Sequence, residues 1–317
     1  MIITLTANPS LDRTVTLPSE LVPGGVHRIE TDRIQPGGKG INVALGVQQA
    51  GLETLAVFQA SKTDPLLDLL KKAGLPCRVS PINGRVRTNI TVLAAGVTTK
   101  INEPGEPLSD EEVAALERTL IDVVSDGDTI MLSGSLAPGL PVDEYARLVR
   151  ELRAKGAWVG VDTSDAPLVA LAEQFETSAP DFLKPNAEEL GQLTGRDGVE
   201  LEAAAGRGEL GAIRDAALAL RERGVGEVLV TLGGSGAVLA TEEGIWYAPS
   251  PDVEVVSTVG AGDSATAGYL IARVGGLTPP ERLAYANAYG SVAVSLPGTT
   301  IPRPDQVHPD VDAVVAL

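Results

Sequence analysis

The chain has a single cysteine, Cys77, among its 317 residues, so it can form no internal disulfide, which fits a reducing compartment. Histidine is almost as scarce. With only His27 and His308, a His-ligated metal site has little to draw on, and a Ser-His-Asp triad would have to recruit one of the two. No stretch approaches the roughly 18 apolar residues of a spanning helix, and the opening MIITLTANPS lacks the basic region of a signal peptide. Basic side chains are outnumbered, 25 against 42 acidic, and the net charge of −17 argues against nucleic acid and anionic membranes as partners. What is present is an ordinary globular composition, 44% hydrophobic and 21% charged, long enough for one large or two modest domains. The expectation is a soluble cytoplasmic protein.

The charge is unevenly spread. Residues 1–105 carry 11 basic and 8 acidic side chains, net +3, whereas residues 106–317 carry 14 and 34, net −20. Solubility accounts for most of the surplus carboxylates. It does not account for a basic first third.

Short β-branched or apolar runs, among them IITLTA (2–7), TIMLS (129–133), WVGVD (158–162) and EVLVTL (227–232), alternate with segments of helical period. That is the pattern of an α/β protein with a mostly parallel sheet. At Ser109 a capping box with Glu112 opens a helix whose Val113, Leu116, Leu120 and Val124 share one face. A second helix is expected to follow Pro141 and to run to about Lys155, before Gly156. Two stretches break the rhythm. Residues 11–34 and 85–102 read as strands and a hairpin with no helix between them, so they should pair into a small β-sheet lid standing apart from the main body. Residues 195–211 read as a loop or a loosely helical connection.

Four clusters carry chemistry. Gly260-Ala261-Gly262-Asp263 lies between a strand-like and a helical segment, where turning glycines and a helix N-terminus make an anion site. It also fits the dinucleotide fingerprint G-x-G-x-x-A, with Glu281 at about the spacing of a ribose contact. Against that, the next segment is helical again, and Asp263 would set a carboxylate against a pyrophosphate. An acid beside an anion hole suits a base for a hydroxyl whose reaction builds negative charge there. The plainer alternative is a glycine turn with Asp263 as helix cap.

Pro36-Gly37-Gly38-Lys39-Gly40-Ile41-Asn42 opens a helix running to about Ala50. It is not a Walker A loop, yet its glycines permit close backbone approach to a polar ligand and Lys39 can meet a phosphate; the alternative is a solvated lysine on a glycine loop. In Lys184-Pro185-Asn186-Ala187-Glu188-Glu189, Asn186 and Glu189 either organise a hard cation through water or form a capping box. Thr231-Leu232-Gly233-Gly234-Ser235-Gly236 fits a hairpin turn as well as a ligand loop.

In this combination and order the clusters resemble the ribokinase-like sugar kinases, the phosphofructokinase B family. The resemblance spans nearly the whole chain. TANPSLD (6–12), GRVRTNITV (84–92), KINEPG (100–105), SGSLAPG (133–139), DTS (162–164), KPNAEEL (184–190) and STVGAGD (257–263) look most like its bacterial 1-phosphofructokinase branch. One departure follows Ala60, where the family's glycine-bearing turn gives way to Ser61-Lys62-Thr63-Asp64-Pro65.

The resemblance implies a single domain over residues 1–317, a three-layer ribokinase-like sandwich whose sheet is flanked by helices and topped by the β lid. It implies that Asp263 is the catalytic base and that the amides of Gly260, Ala261 and Gly262 form the anion hole for the transferring phosphoryl group. Lys184, Asn186, Thr231, Gly233, Gly236, Thr258 and Asn287 would hold ATP, and Asn186 with Glu189 would organise Mg2+ through water. Asp12, Gly38, Lys39, Asn42, Lys100 and Ser135 would meet the sugar, and Arg87 its existing phosphate. Lys39 and Arg87, with Arg28 or Lys100, then account for the basic first third.

The implied activity is ATP-dependent phosphorylation of fructose 1-phosphate at C6 to give fructose 1,6-bisphosphate. Tagatose 6-phosphate or fructose 6-phosphate as substrate, a dinucleotide-dependent oxidoreductase and a non-catalytic phosphosugar sensor are the alternatives. The expected partners are a phosphosugar and ATP, with a second copy of the chain covering the edges of the lid.

Overall fold

A computed structural model describes residues 1–317. Fourteen strands form two sheets. In chain order they are β1 (Ile2–Thr6), β2 (Ser10–Leu17), β3 (Thr31–Gly37), β4 (Thr54–Ala60), β5 (Cys77–Pro81), β6 (Arg87–Ala94) and β7 (Val97–Asn102), then β8 (Thr129–Ser133), β9 (Trp158–Asp162), β10 (Phe182–Leu183), β11 (Glu227–Thr231), β12 (Ala237–Ala240), β13 (Ile245–Ala248) and β14 (Val315–Ala316). The larger sheet has ten strands in the order β14-β13-β12-β11-β10-β9-β8-β1-β4-β5. From β11 to β5 every pairing is parallel, and β12 to β14 extend that edge as an antiparallel meander.

Helices α1 (Lys39–Gln49), α2 (Pro65–Ala73), α3 (Asp110–Ile121), α4 (Glu144–Ala154), α5 (Asp165–Glu173), α6 (Phe175–Ser178), α7 (Ala187–Thr194), α8 (Gly198–Gly206), α9 (Gly211–Glu222), α10 (Ala261–Val274) and α11 (Pro279–Val294) cover the sheet. The alternation of side chains decides which helix meets which face. Ile3 and Leu5 of β1 and Ile130 and Leu132 of β8 pack against α3, α4, α5, α7 and α9, while Ile2 and Met131 turn the other way onto α1, α10 and α11. Both faces are buried, as a parallel sheet requires, and the result is the expected three-layer sandwich.

The expected lid is present as a separate four-stranded sheet, β3-β2-β6-β7, with β2 and β6 parallel at its centre. Alternation sorts it into two faces. Ser10, Asp12, Thr14, Arg87, Asn89 and Thr91 share one, while Val15, Leu17, Val92 and Ala94 form a small apolar cluster on the other. The polar face turns towards the main body, where Gln35 and Thr14 approach the Gly298 turn.

Local signals read from sequence are realised with small changes. Ser109 and Glu112 form both bonds of the capping box, and Val113, Leu116, Leu120 and Val124 are buried. The second helix starts at Glu144, three residues later than expected, because the chain first makes a turn in which the Glu144 N–H bonds the Pro141 carbonyl. Residues 195–211 are more regular than expected. Asp197 accepts bonds from the N–H groups of Val199 and Glu200 and so starts α8 over a segment whose run of alanines carries little amphipathic pattern.

The segment after Ala60 is organised by Asp64. Its Oδ1 caps α2 at the Leu66 N–H (3.0 Å), and its Oδ2 accepts from the Val86 N–H (3.0 Å), just ahead of β6. One buried carboxylate thereby ties a helix start to the entry into the lid. Asp64→Ala removes a cap and leaves the Val86 N–H without its partner, so it should destabilise the protein by roughly 2 kcal/mol. A urea titration that leaves the midpoint unchanged would show that water replaces both bonds.

Candidate active site

The parallel strands end on one edge, and each brings polar residues there: Asn8 after β1, Ser135 after β8, Asp162 at the end of β9, Lys184 and Asn186 after β10, and Thr231 at the end of β11. This is where open α/β sheets bind ligands. A parallel bridge between Asn186 and Thr231 carries the β10–β11 pairing past β10 and joins two of the sequence clusters.

The GGKG loop is packed tightly against its neighbours. Gly38 is left-handed (φ 111°), and a Cβ there would lie 2.5 Å from Thr6 Cγ2. A Cβ on Gly40 would lie 2.6 Å from the Leu5 carbonyl oxygen, and one on Gly37 2.4 Å from the Asp12 carboxylate. The protein's own packing of the loop against β1 and the lid already requires glycine at these positions. Nor is Lys39 a solvated lysine. Its Nζ donates to Asp162 Oδ1 at 2.7 Å.

Gly260 adopts the left-handed conformation (φ 79°) that turns the chain into α10, and Asp263 occupies the first turn. A capping role for Asp263 is ruled out by its partner: Oδ2 accepts from Asn42 Nδ2 at 2.8 Å, not from a helix N–H. Asp263 is buried, with 7% exposure. Burial pushes its carboxyl up to about 6 against the opposing pull of Lys39, and the like charge of Asp162 adds to the rise. Beside it, Lys184 Nζ lies 3.5 Å from where a Cβ on Gly262 would sit, so an ammonium group stands next to the glycine turn.

Asp162 was not expected in this position from the sequence. Its Oδ1 meets Lys39, and its Oδ2 lies 3.3 Å from Lys184 Nζ. Burial works to raise its pKa, but Lys184 and Lys39 override that and hold it below the ordinary carboxylate value. Burial likewise opposes the charge on Lys39, yet Asp162, Asp263 and Glu189 keep its pKa above the usual lysine value.

Asn186 and Glu189 form the capping box. Asn186 Oδ1 accepts from the Glu189 N–H and Glu189 Oε2 from the Asn186 N–H, both at 2.8 Å. Glu189 Oε1 is then the carboxylate oxygen left for a cation. No group of three His, Cys, Asp or Glu side chains is placed to hold a metal by itself. That donor set suits magnesium, which keeps several waters and takes other ligands from phosphates.

A cavity of about 680 Å³ gathers Asn186, Thr231, Gly233, Gly236, Thr258 and Asn287, and Ala261 and Gly262 form part of its wall. The Gly233–Gly236 segment forms the expected turn of the antiparallel β11–β12 hairpin and lies on the rim of this cavity. Asn287 is fixed by donating from Nδ2 to the Pro249 carbonyl at 2.7 Å.

On the lid side, Asp12 accepts from Ser10 Oγ (2.8 Å) and from Asn89 Nδ2 (3.1 Å). Arg87 reaches the Glu103 carbonyl (3.3 Å) and Ser135 Oγ (3.5 Å), and its buried Nε has no partner. Asn8 Nδ2 donates to the Pro104 carbonyl (3.1 Å) and lies 3.5 Å from Ser135 Oγ. Two candidate cations are exposed. Lys100 is exposed on β7 opposite Thr91, two register positions beyond the Asn89–Asn102 pair, and Arg28 is exposed between β2 and β3.

Ser10, Asn8 and Asn89 join Asp162 as site residues that sequence reasoning missed. The signal that could have found them lies in the motifs TANPSLD, GRVRTNITV and DTS, which contain all four. The dinucleotide reading fails on topology: α11 follows α10 where a strand is required, and Glu281 is held in a capping box by Thr278.

A family model described as pfkB family carbohydrate kinase matches residues 6–306. The 1-phosphofructokinase of Xanthomonas campestris pv. campestris is 36% identical over 289 residues, 89% of this chain and 87% of that protein. That of Haloferax volcanii is 34% identical over 310 residues, 97% of this chain and 95% of that protein. Among solved structures, phosphofructokinase-2 from Escherichia coli in complex with substrates and products superposes with a TM-score of 0.86 at 28% identity, covering 96% of each chain.

The elevated pKa of Asp263 has a stability consequence. Its folded-state value of about 6 lies above the ordinary aspartate value of 3.8, so ionising it opposes folding; the penalty is absent below about pH 4 and complete above about pH 6. Asp263→Asn keeps an oxygen for Asn42 and removes the charge. It should stabilise the protein by roughly 2–3 kcal/mol at pH 8 and by almost nothing near pH 4. Equal melting temperatures of variant and parent at pH 8 would contradict this.

Proposed function

The chain belongs to the pfkB family of carbohydrate kinases, and on that premise we propose that it transfers the γ-phosphoryl group of ATP to the C6 hydroxyl of fructose 1-phosphate, giving fructose 1,6-bisphosphate. The observation that carries the reading is the place of Asp263. It follows directly on Ala261 and Gly262, which line the cavity, and its carboxylate is bonded to Asn42, which continues from the Lys39 loop beside the lid. A base in that place faces both partners of a group transfer.

ATP occupies the cavity between Thr231, Gly233, Gly236, Thr258 and Asn287, its phosphates running to the amides of Gly260, Ala261 and Gly262. The sugar lies under the polar face of the lid against Asp12, Gly38, Lys39, Asn42 and Ser135. Arg87 takes the existing phosphate, and its unpartnered buried Nε supports that role because a guanidinium nitrogen left dry without an acceptor is costly. Asp263 accepts the hydroxyl proton as the oxygen bonds to phosphorus, while the helix N-terminus, Lys39 and Lys184 stabilise the charge that develops. Mg2+ would be held through water by Glu189 Oε1 and would supply neutralisation of the nucleotide phosphates.

Residues 1–317 act as one kinase domain with the lid as an insertion. The outer face of the lid leaves Ile34 (49% exposed), Val97 (63%) and Ile101 (55%) on the side of its apolar cluster, which supports a homodimer that covers this face. No helix is long and apolar enough to cross a membrane, and the single cysteine supports a cytoplasmic site of action.

An ADP-release assay across fructose 1-phosphate, tagatose 6-phosphate, fructose 6-phosphate and fructose should give the highest kcat/KM for the first; preference for a 6-phosphate would move the substrate assignment within the family. Asp263→Asn should lower kcat by on the order of 10²-fold or more with KM little changed. Arg87→Ala should mainly raise KM for the phosphosugar, and an unchanged KM would remove it from the phosphate site. In sedimentation, Ile101→Asp should shift the protein to a monomer.

A further inference from the structure

Lys39 and Lys184 reach the site from different elements of the fold. Lys39 is the first residue of α1, and Lys184 immediately follows β10. Neither long, flexible side chain is held by its own element, and both end on the same carboxylate. The side chain of Asp162 is 1% exposed, with Lys39 Nζ 2.7 Å from one oxygen and Lys184 Nζ 3.3 Å from the other. The carboxylate itself cannot drift. Asp162 sits in register with Ser133 of β8, its carbonyl accepts the Gly134 N–H at 2.8 Å, and the next residue, Thr163, donates Oγ1 to the Gly134 carbonyl at 2.9 Å.

The consequence is geometric. One end of the clamp leaves Lys184 Nζ beside Gly262, and the other leaves Lys39, whose side chain is still 36% exposed, within electrostatic reach of Asp263. We propose that Asp162 is a positioning residue that holds these two ammonium groups on either side of the Gly260–Asp263 turn, so that both cations are in place before negative charge develops there. The carboxylate presents a charged oxygen to each ammonium group, hydrogen-bonded to Lys39 through Oδ1 and ion-paired with Lys184 through Oδ2; an amide in its place would offer one acceptor and would point two N–H donors at the second ammonium group.

This rests on the proposed phosphoryl transfer only for its catalytic half. The structural half can be read without substrate. The groups facing Lys39 are Asp162 from β9, Asp263 from α10 and Glu189 from α7, and Asp162 is the one that contacts it. Removing the contacting charge should lower the pKa of Lys39 by at least one unit, so that the full-length Asp162→Asn protein acylates at Lys39 about tenfold faster at pH 9 with a water-soluble acid anhydride. The exposed Lys62 and Lys100 serve as internal controls, and the modified sites are located by peptide mass spectrometry.

Asp162→Asn should also lower kcat by about 10²-fold, the scale expected when catalytic groups are misplaced by about an ångström. If the buried Lys184, left unpaired, prevents that variant from folding, Asp162→Asn combined with Lys184→Met removes both buried charges and asks the same question of Lys39. Labelling of Lys39 within twofold of the parent overturns the clamp. Faster labelling with kcat kept within twofold on the best sugar found overturns its catalytic purpose. Failure of the substrate assignment alone changes which sugar is turned over and leaves the labelling result as it stands.

Discussion

Five ionisable side chains, Lys39, Asp162, Lys184, Glu189 and Asp263, crowd one edge of the sheet, and burial opposes the charge of Lys39 and of all three carboxylates. A charge withdrawn from water is tolerable only where other charges and hydrogen bonds compensate it. Here the compensation crosses the whole fold. Asp162 comes from a central strand, Lys184 from the neighbouring strand, Lys39 and Asp263 from two helices on one face of the sheet, and Glu189 from a helix on the other. Only when β8, β9 and β10 lie side by side do these groups come within ion-pairing distance, so the parallel order of the sheet and the electrostatics of the site are a single constraint.

The same crowding divides the charges by task. Asp162, with a lysine on each oxygen, is held ionised, whereas Asp263 has one hydrogen bond and a raised pKa. Two buried aspartates thus differ in proton affinity because of their partners. The one that is harder to ionise is the one proposed as the proton acceptor, and the one held ionised is the one that pairs with both lysines. The lid sheet carries Asp12, Asn89 and Arg87 on its polar face. The glycines at 37, 38 and 40 serve the close seating of that lid and loop.

What was legible in the sequence was local. The capping boxes at Ser109 and Asn186 are three-residue patterns closed by bonds within one turn, and they form as written. The two alternating stretches that interrupt the α/β rhythm pair with each other as the lid, since a strand with one apolar face must find a neighbour. The α8 segment was underestimated because its alanines carry almost no periodicity, and its start depends on Asp197 alone. Strand register, which the KINEPG motif does not reveal, sets Lys100 opposite Thr91 on the lid.

The amino-acid sequence by itself determined the class of fold, the position of the lid insertions and the order of the loops that carry the chemistry, because strand alternation, helix caps and glycine turns are set by near neighbours. It also separated a basic first third from an acidic remainder. Only the tertiary structure decided that Lys39 and Lys184 share Asp162, that Asp263 is bonded to Asn42 across 221 residues, and that Asn89 faces Asp12. Those contacts depend on the spatial order and register of strands distant in sequence. No local pattern encodes the ångström-scale distances on which an ion pair and a proton acceptor depend.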